Sequence, residues 1–337
     1  MNIAVFGLGY VGCVSAACFA KLGHSVVGVD VNPVKVEMIN AGKSPIIEQD
    51  IDQIIAETAA AGSLRAVTSA EEAVMSADVS LICVGTPSDE SGGLNLVYIR
   101  RVCEEIGEVL AKKGQYHVVA IRSTVLPGTL ETVVKPILEQ ASGLKVGEQI
   151  GLCSNPEFLR EGSAVKDFFG PPYILIGQSD ERAGDTLSQL YASLQAPLVR
   201  TEIKTSEMVK YANNAYHALK ITFANEIGSF CKTAGVDSHR VMEIFKMDNK
   251  LNISGAYLKP GFSFGGSCLG KDLRAMLHRA RHTDLDLPLM QAIIRSNQAQ
   301  TQRAVDMVLK KGKKKVGVLG LSFKAGTDDL RESPMVD

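Results

Sequence analysis

The sequence predicts an α/β protein: an N-terminal Rossmann-like, doubly wound parallel sheet, then a long central helix and helical middle domain, then the start of a truncated second Rossmann-like domain. Three observations carry this. Strand-like and helix-like segments alternate through the first part of the chain. A G-x-G-x-x-G turn follows the first strand, and a second apolar strand signal recurs near the end.

The strand signals are short β-branched runs: "IAVFG" at 3–7, "SVVGVD" at 25–30, "VSLICVG" at 79–85, "HVVAIRST" at 117–124, "IGLCS" at 150–154, "YILIG" at 173–177 and "PLVR" at 197–200. Helical stretches such as Val14–Leu22 and Ile99–Lys112 lie between them, so the sheet is expected to be mostly parallel and covered on both faces.

The first strand runs into "GLGYVG". Gly7 permits the tight turn, Gly9 lets backbone approach a pyrophosphate, and Gly12 lets helix pack closely on strand. The next strand ends in Asp30, 18 residues after Gly12, where a carboxylate accepts hydrogen bonds from an adenosine ribose and repels a ribose phosphate. NAD is therefore the expected cofactor, although Lys35 is within reach of a phosphate. "VGTPS" at 84–88 and "RSTVLPGT" at 122–129 end later strands at the carboxyl edge, where ligands of such sheets bind, making Thr86 and Thr124 either cofactor contacts or plain turn residues.

In "SNPEFLRE" at 154–161, Asn155 reads as a helix N-cap and Pro156 as the first helical residue, which predicts Glu157 and Glu161 on one helix face. A general base is one reason for that pair, and interaction with the helix N-terminus is another. Thr205 to Thr233 contains no proline and one late glycine, and reads as a long, largely buried helix. Lys210, Asn214, His217 and Asn225 fall within a narrow arc of it, as a site or a buried polar network requires; His217 alone also fits a satisfied core histidine.

"FSFGGSCLGKD" at 262–272 places Cys268 after two glycines and before a helix start, where the helix dipole and Lys271 favour a thiolate. Alcohol oxidation by a nicotinamide needs no thiol. A second oxidation does, because a thiohemiacetal surrenders a further hydride to become a thioester that water then opens. The other six cysteines are expected to be buried small hydrophobes.

The 337 residues are 45% apolar and 22% charged with a formal net charge of −1, which excludes an electrostatic case for nucleic acid or membrane as partner. The basic run "LKKGKKK" at 309–315 reads as a solvated helix end with a glycine C-cap. Seven scattered cysteines without a C-x-x-C pair predict reduced thiols in a cytoplasm, with no disulfide framework and no metal. The chain begins directly with an apolar strand, so no signal peptide or membrane span is expected. The expected domains are 1–203, 204–311 and 312–337, the last being "KVGVLG" and its loop, cut short before the elements that would cover it.

"GLGYVG", "GTPS", "RSTVLPGT", "NPEFLRE", "KYANNAYHALKITFANEIG", "KPGFSFGGSCLGKD" and "GLSFKAGTDDLRESP" together resemble the nucleotide-sugar (UDP-glucose/GDP-mannose) 6-dehydrogenases along essentially the whole chain. The resemblance implies two successive NAD-dependent oxidations of a sugar C6 alcohol to the uronate, with GDP-mannose the nearest substrate match and UDP-glucose the alternative. It implies that Cys268 forms the thioester, that Lys210 and Asn214 hold the C6 oxygen, and that Asp272, Thr124 and Glu157 organise water or assist proton transfer. Gly7, Gly9, Tyr10, Val11, Gly12, Asp30, Lys35, Thr86, Thr124, Lys271 and Arg331 match cofactor positions. Glu161, His217, Asn225, Tyr257, Lys259, Phe262, Gly265 and Lys324 match substrate positions, with the loop around Tyr257 and Lys259 expected to enter the partner's site in a homodimer or higher homo-oligomer. Gly270 stands where the family has proline, and Lys259 and Ala256 where an arginine and a tyrosine are expected; lysine brings charge to a phosphate without the bidentate fork. A one-step hydroxy-acid dehydrogenase and a non-catalytic NAD-binding module are the competing functions; neither needs Cys268.

Overall fold

The computed structural model describes residues 1–87, 93–257, 261–266, 269–312, 315–322, 330 and 332–336, and of Lys271, Asp272, Ala275 and Arg279 the backbone alone. Two compact units are present, Met1–Asn214 and Ala215–Asp337. The division into these units falls inside the long helix Ile203–Thr233.

In the first unit the strands are β1 (Asn2–Phe6), β2 (Ser25–Val29), β3 (Leu64–Val67), β4 (Val79–Ile82), β5 (His117–Ile121), β6 (Ile150–Ser154), β7 (Ile174–Gln178) and β8 (Leu198–Glu202). They form one sheet in the order β3-β2-β1-β4-β5-β6-β7-β8. All seven predicted runs are strands; β3 is an eighth. Strands β1 to β6 pair parallel with one another, β7 turns antiparallel to β6, and β8 runs parallel to β7. The chain leaves β1 toward β3 and returns to β4 on the other side, so the order reverses beside β1. Ligands of such sheets bind at that reversal, outside the carboxyl ends of the strands.

Alternating residues of β1 feed two cores. Ile3 and Val5 pack with Phe19, Ile55 and Phe168 on one face, and Ala4 and Phe6 with Ile99, Ile106 and Leu138 on the other. Each fully buried side chain of that size stabilises by about 1.5–3 kcal/mol. The carboxyl edge is thereby a rigid platform for the loops it carries.

Three local expectations are corrected. Residues 155–160 form no helix; Asn155 and Glu157 are engaged by partners distant in sequence, described below. The long helix, Ile203–Thr233, forms as predicted, but much of 211–225 is exposed in the single chain, including Leu219 and Ile221. Residues 315–320 carry no strand, and among the described residues the second unit holds no strand with which they could pair.

In the second unit, Leu277, Ala280, Leu287 and Met290 form a small core with Phe223, Ile227 and Phe230 of the long helix. Buried Glu226 accepts the N–H groups of Leu289 (2.7 Å) and Met290 (3.1 Å), at the start of the helix Pro288–Leu309. A carboxylate there satisfies orphan donors and complements the helix dipole. Gly312, at φ +63°, donates to Leu309 O just past that helix, as its C-cap role requires.

Candidate active site

The glycine turn fits a dinucleotide at each of its three positions. Gly7 sits at φ +88°, and a Cβ there would lie 3.0 Å from Val84 Cγ1. A Cβ on Gly12 would lie 1.8 Å from Gly7 O, so only glycine lets the helix Tyr10–Lys21 approach the strand. Around Gly9 a Cβ would meet nothing within 4 Å, which is the open space a pyrophosphate needs. No side chain caps this helix and its first turn holds no acidic residue, so the N–H groups at Tyr10 and Val11 face an anion-binding end.

Asp30 directly follows β2 and is almost buried, at 8% exposure. Its Oδ2 accepts Leu8 N–H at 2.8 Å and Lys35 Nζ at 3.3 Å, and its Oδ1 accepts Asn32 N–H at 2.9 Å. One carboxylate thus joins the glycine turn to the end of the second strand, with acceptor capacity left for a ribose. Thr86 Oγ1 donates to Thr124 O at 3.0 Å, which brings the ends of β4 and β5 together as the motifs predicted.

Behind them stands Arg122, a buried guanidinium in an otherwise apolar strand run. It donates to Ser15 Oγ (3.0 Å), Asn155 Oδ1 (2.8 Å) and Tyr191 OH (3.0 Å). Asn155 Oδ1 also accepts from Tyr191, and its Nδ2 donates to Leu175 O at 3.0 Å. That consumes the amide, so Asn155 cannot cap a helix. Lys210 Nζ then donates to Glu157 O at 2.7 Å and Glu157 Oε1 at 2.9 Å, occupying the carbonyl that a helix would offer to its fourth neighbour. Both side chains are about nine-tenths buried. Glu161 lies in the exposed turn beyond, so the two carboxylates do not share a helix face.

Glu207, one turn before Lys210, accepts Gly128 N–H at 2.6 Å and Leu130 N–H at 3.0 Å. Burial pushes its carboxyl above the ordinary range, and the two donors offset part of that. The first turns of the long helix therefore hold both the loop bearing Thr124 and the loop bearing Glu157. A cavity of about 40 Å³ beside Glu157, lined by Arg122, Phe158 and Tyr173 among others, is large enough for one or two waters.

In the second unit, His217 and Asn225 are exposed on the long helix, as is Asn214 at the end of the first unit. Tyr257 is 86% exposed, at φ 64°, and Phe262 is 45% exposed. The segment 261–266 is lashed to the helix Pro288–Leu309: Asn297 exchanges two hydrogen bonds with the Phe264 backbone (2.8 and 2.9 Å), and Gln300 donates to Gly261 O. Gly266 sits at φ +89°, the left-handed geometry that the double glycine beside Gly265 predicts. The helix Leu269–Arg281 follows in sequence. Cys268, Lys259, Lys324 and Arg331 lie outside the described residues, as do the side chains of Lys271 and Asp272.

The other six cysteines are buried. Burial pushes the thiols of Cys13, Cys18, Cys83 and Cys103 up to about 12, and that of Cys153 higher still, so these five are held as inert thiols.

Sequence reasoning missed Arg122, Glu48 and Glu207. A charge inside "VVAIRST" and a carboxylate one turn from Lys210 are signals for two of them; Glu48 has none.

A glycine-turn dinucleotide fold with a carboxylate at the second strand's end, and an ion pair at the carboxyl edge, defines a nicotinamide-dependent dehydrogenase. Residues 1–195 match the UDP-glucose/GDP-mannose dehydrogenase family, NAD binding domain, and residues 204–299 match its central domain. The chain belongs to that family. It is 52% identical to the GDP-mannose 6-dehydrogenase of Azotobacter vinelandii over all of this chain and 77% of that one. A UDP-glucose 6-dehydrogenase of Haloferax volcanii is 40% identical over 99% of this chain and 78% of its own length. Among solved structures, a ternary complex of GDP-mannose dehydrogenase from Pseudomonas aeruginosa superposes with a TM-score of 0.98 at 50% identity, covering 100% of this chain and 77% of that one. No helix among the described residues is long and apolar enough to cross a membrane.

Proposed function

We propose that this enzyme oxidises the C6 alcohol of GDP-mannose to the carboxylate, GDP-mannuronate, in two successive steps without releasing the aldehyde. NAD, when bound, accepts one hydride in each step. The Lys210–Glu157 pair, together with the family membership, is the observation that carries the reading: a near-buried cation and carboxylate at the carboxyl edge, close in sequence to Asn214, with Arg122 bonded to Asn155 two residues before Glu157 and Glu207 bonded to the loop at Gly128.

Lys210 and Asn214 hold the C6 oxygen and stabilise its charge as the alcohol proton passes to water and a C6–H bond breaks to release the first hydride, leaving the aldehyde. The Cys268 thiolate adds to the aldehyde carbon, forming a C–S bond and a thiohemiacetal. Loss of the second hydride leaves a thioester. Water, oriented by Thr124, Glu157 and Asp272, attacks the thioester carbon; the C–S bond breaks, the thiol is regenerated, and the acid ionises. The 40 Å³ space beside Glu157 supports that carboxylate's role with water. The backbone around Gly7, Gly9, Tyr10, Val11 and Gly12 would cradle the pyrophosphate, Asp30 the ribose, and Lys35, Thr86, Lys271 and Arg331 complete the cofactor set. Glu161, His217, Asn225, Tyr257, Lys259, Phe262, Gly265 and Lys324 would bind the sugar nucleotide.

Residues 1–203 form the NAD-binding domain on this reading and 204–311 the central one. Exposed Leu219 and Ile221 on the long helix favour association with a second copy of the chain in the cytoplasm. Following NADH with GDP-mannose, UDP-glucose and UDP-N-acetylmannosamine tests the substrate: GDP-mannose is expected to give the highest kcat/KM, and preference for either uridine nucleotide contradicts the reading.

A further inference from the structure

Glu48 lies between the second and third helices of the first unit, yet its carboxylate is bonded to two parts of the site at once. Its Oε2 accepts the Tyr10 hydroxyl and Gly162 N–H at 2.7 Å, and its Oε1 accepts Ala164 N–H at 3.0 Å. Gly162 N–H also reaches Tyr10 OH at 3.2 Å. Tyr10 directly follows Gly9, where backbone meets the pyrophosphate. Gly162 directly follows Glu161, assigned above to the sugar nucleotide, and its φ of +83° fixes the turn.

We propose that Glu48 is a positioning residue that couples the two sites: through Tyr10 on one side and Gly162 and Ala164 on the other, it transmits occupation of the glycine turn to the Glu161 turn. The bonds make this specific. Glu48 itself is 8% exposed. Burial works against its charge, but the donors Tyr10, Gly162 and Ala164 outweigh it and keep the carboxyl below its ordinary range. Tyr10 is the complement: burial, then the hydrogen bond to Glu48, push its hydroxyl up to about 12, so it remains the donor at neutral pH. Any displacement of Tyr10 by a ligand at the glycine turn must therefore either break these bonds or move residues 162–164 with it. Both alternatives change how firmly the neighbouring Glu161 is presented.

The link to the sugar nucleotide rests on the function proposed above; the link between Tyr10 and the 161–164 turn does not. Amide hydrogen exchange of the intact chain, with and without saturating NAD, reads the second directly. In the unmodified protein NAD is expected to slow exchange across 161–164 by about 10-fold, a common size for coupling between sites. In Tyr10→Phe, which removes only the hydroxyl, and in Glu48→Gln, which turns an amide N–H₂ against a backbone donor, the slowing at 161–164 is expected to fall below about 2-fold. It should persist at the glycine turn itself. Should Glu48→Gln fail to fold, Tyr10→Phe decides alone. GDP-mannose titrations with and without NADH then give the coupling to substrate, about 10-fold in the unmodified protein and near unity in the variants. No NAD response at 161–164 in the unmodified protein, or an undiminished response in the variants, overturns the coupling. A clear exchange response with no GDP-mannose binding leaves the coupling standing and overturns the substrate.

Discussion

Lys210 Nζ lies 2.9 Å from Glu157 Oε1 and 2.7 Å from Glu157 O, so one ammonium fixes both the side chain and the backbone of the residue it pairs with. Removing the lysine leaves a nearly buried carboxylate and a buried carbonyl without their donor. Lys210→Ala is expected to destabilise the chain by about 3 kcal/mol and to lower kcat by about a hundredfold or more. Adding Glu157→Ala should recover part of the stability but none of the turnover. Urea unfolding and steady-state kinetics on both variants check this; a Lys210→Ala protein of unchanged stability contradicts the pairing.

The glycine turn separates a packing role from a ligand role. Gly12→Ala forces a Cβ to within 1.8 Å of Gly7 O and is expected to destabilise the fold and abolish NAD binding together. Gly9→Ala meets no protein atom within 4 Å and should leave Tm within about a degree while weakening NAD at least tenfold. Calorimetry beside NAD titration distinguishes them. Equal loss of Tm in both would show that Gly9 is a packing glycine.

His117 sets a pH dependence remote from the site. It is fully buried at the start of β5, where Lys113 Nζ approaches its Nδ1 at 3.0 Å and its Nε2 faces Ser80 Oγ at 2.8 Å. Burial, then the Lys113 charge, push its pKa from 6.5 down to about 3. The unfolded chain therefore binds a proton between pH 6.5 and 3 that the folded chain refuses, so stability is full above 6.5 and falls as pH drops through that window. From pH 7 to 5 the loss is about 2 kcal/mol. His117→Asn should show a shallower fall, measured by urea unfolding at the two pH values; an identical fall contradicts a neutral buried histidine.

Legibility followed the range of the interactions. Seven strands were readable because buried parallel strands are continuous β-branched runs, and the glycine turn because its constraints are local. Strand β3 was not: "LRAV" is short and carries an arginine, and its strand character comes from pairing with β2. The Asn-Pro signal at 155–156 pointed to a helix, but Arg122 and Lys210, 33 and 53 residues away, claim the groups a helix would use. Alternation of polar and apolar residues could not distinguish a helix buried in its own chain from one with an exposed apolar face, as at Leu219 and Ile221.

Cys268 separates the two oxidations. Cys268→Ala is expected to bind NAD with unchanged affinity, since the glycine turn belongs to the other unit, while forming no detectable uronate. Uronate at a near-normal rate contradicts the thioester.

The central claim is tested most directly by stoichiometry. A limiting, known amount of GDP-mannose is taken to completion with excess NAD, and NADH and sugar products are both counted. Two NADH per GDP-mannose, with GDP-mannuronate as the sole sugar product and no free aldehyde, is the predicted result. One NADH per sugar with aldehyde accumulating, or no turnover despite tight NAD binding, would contradict it.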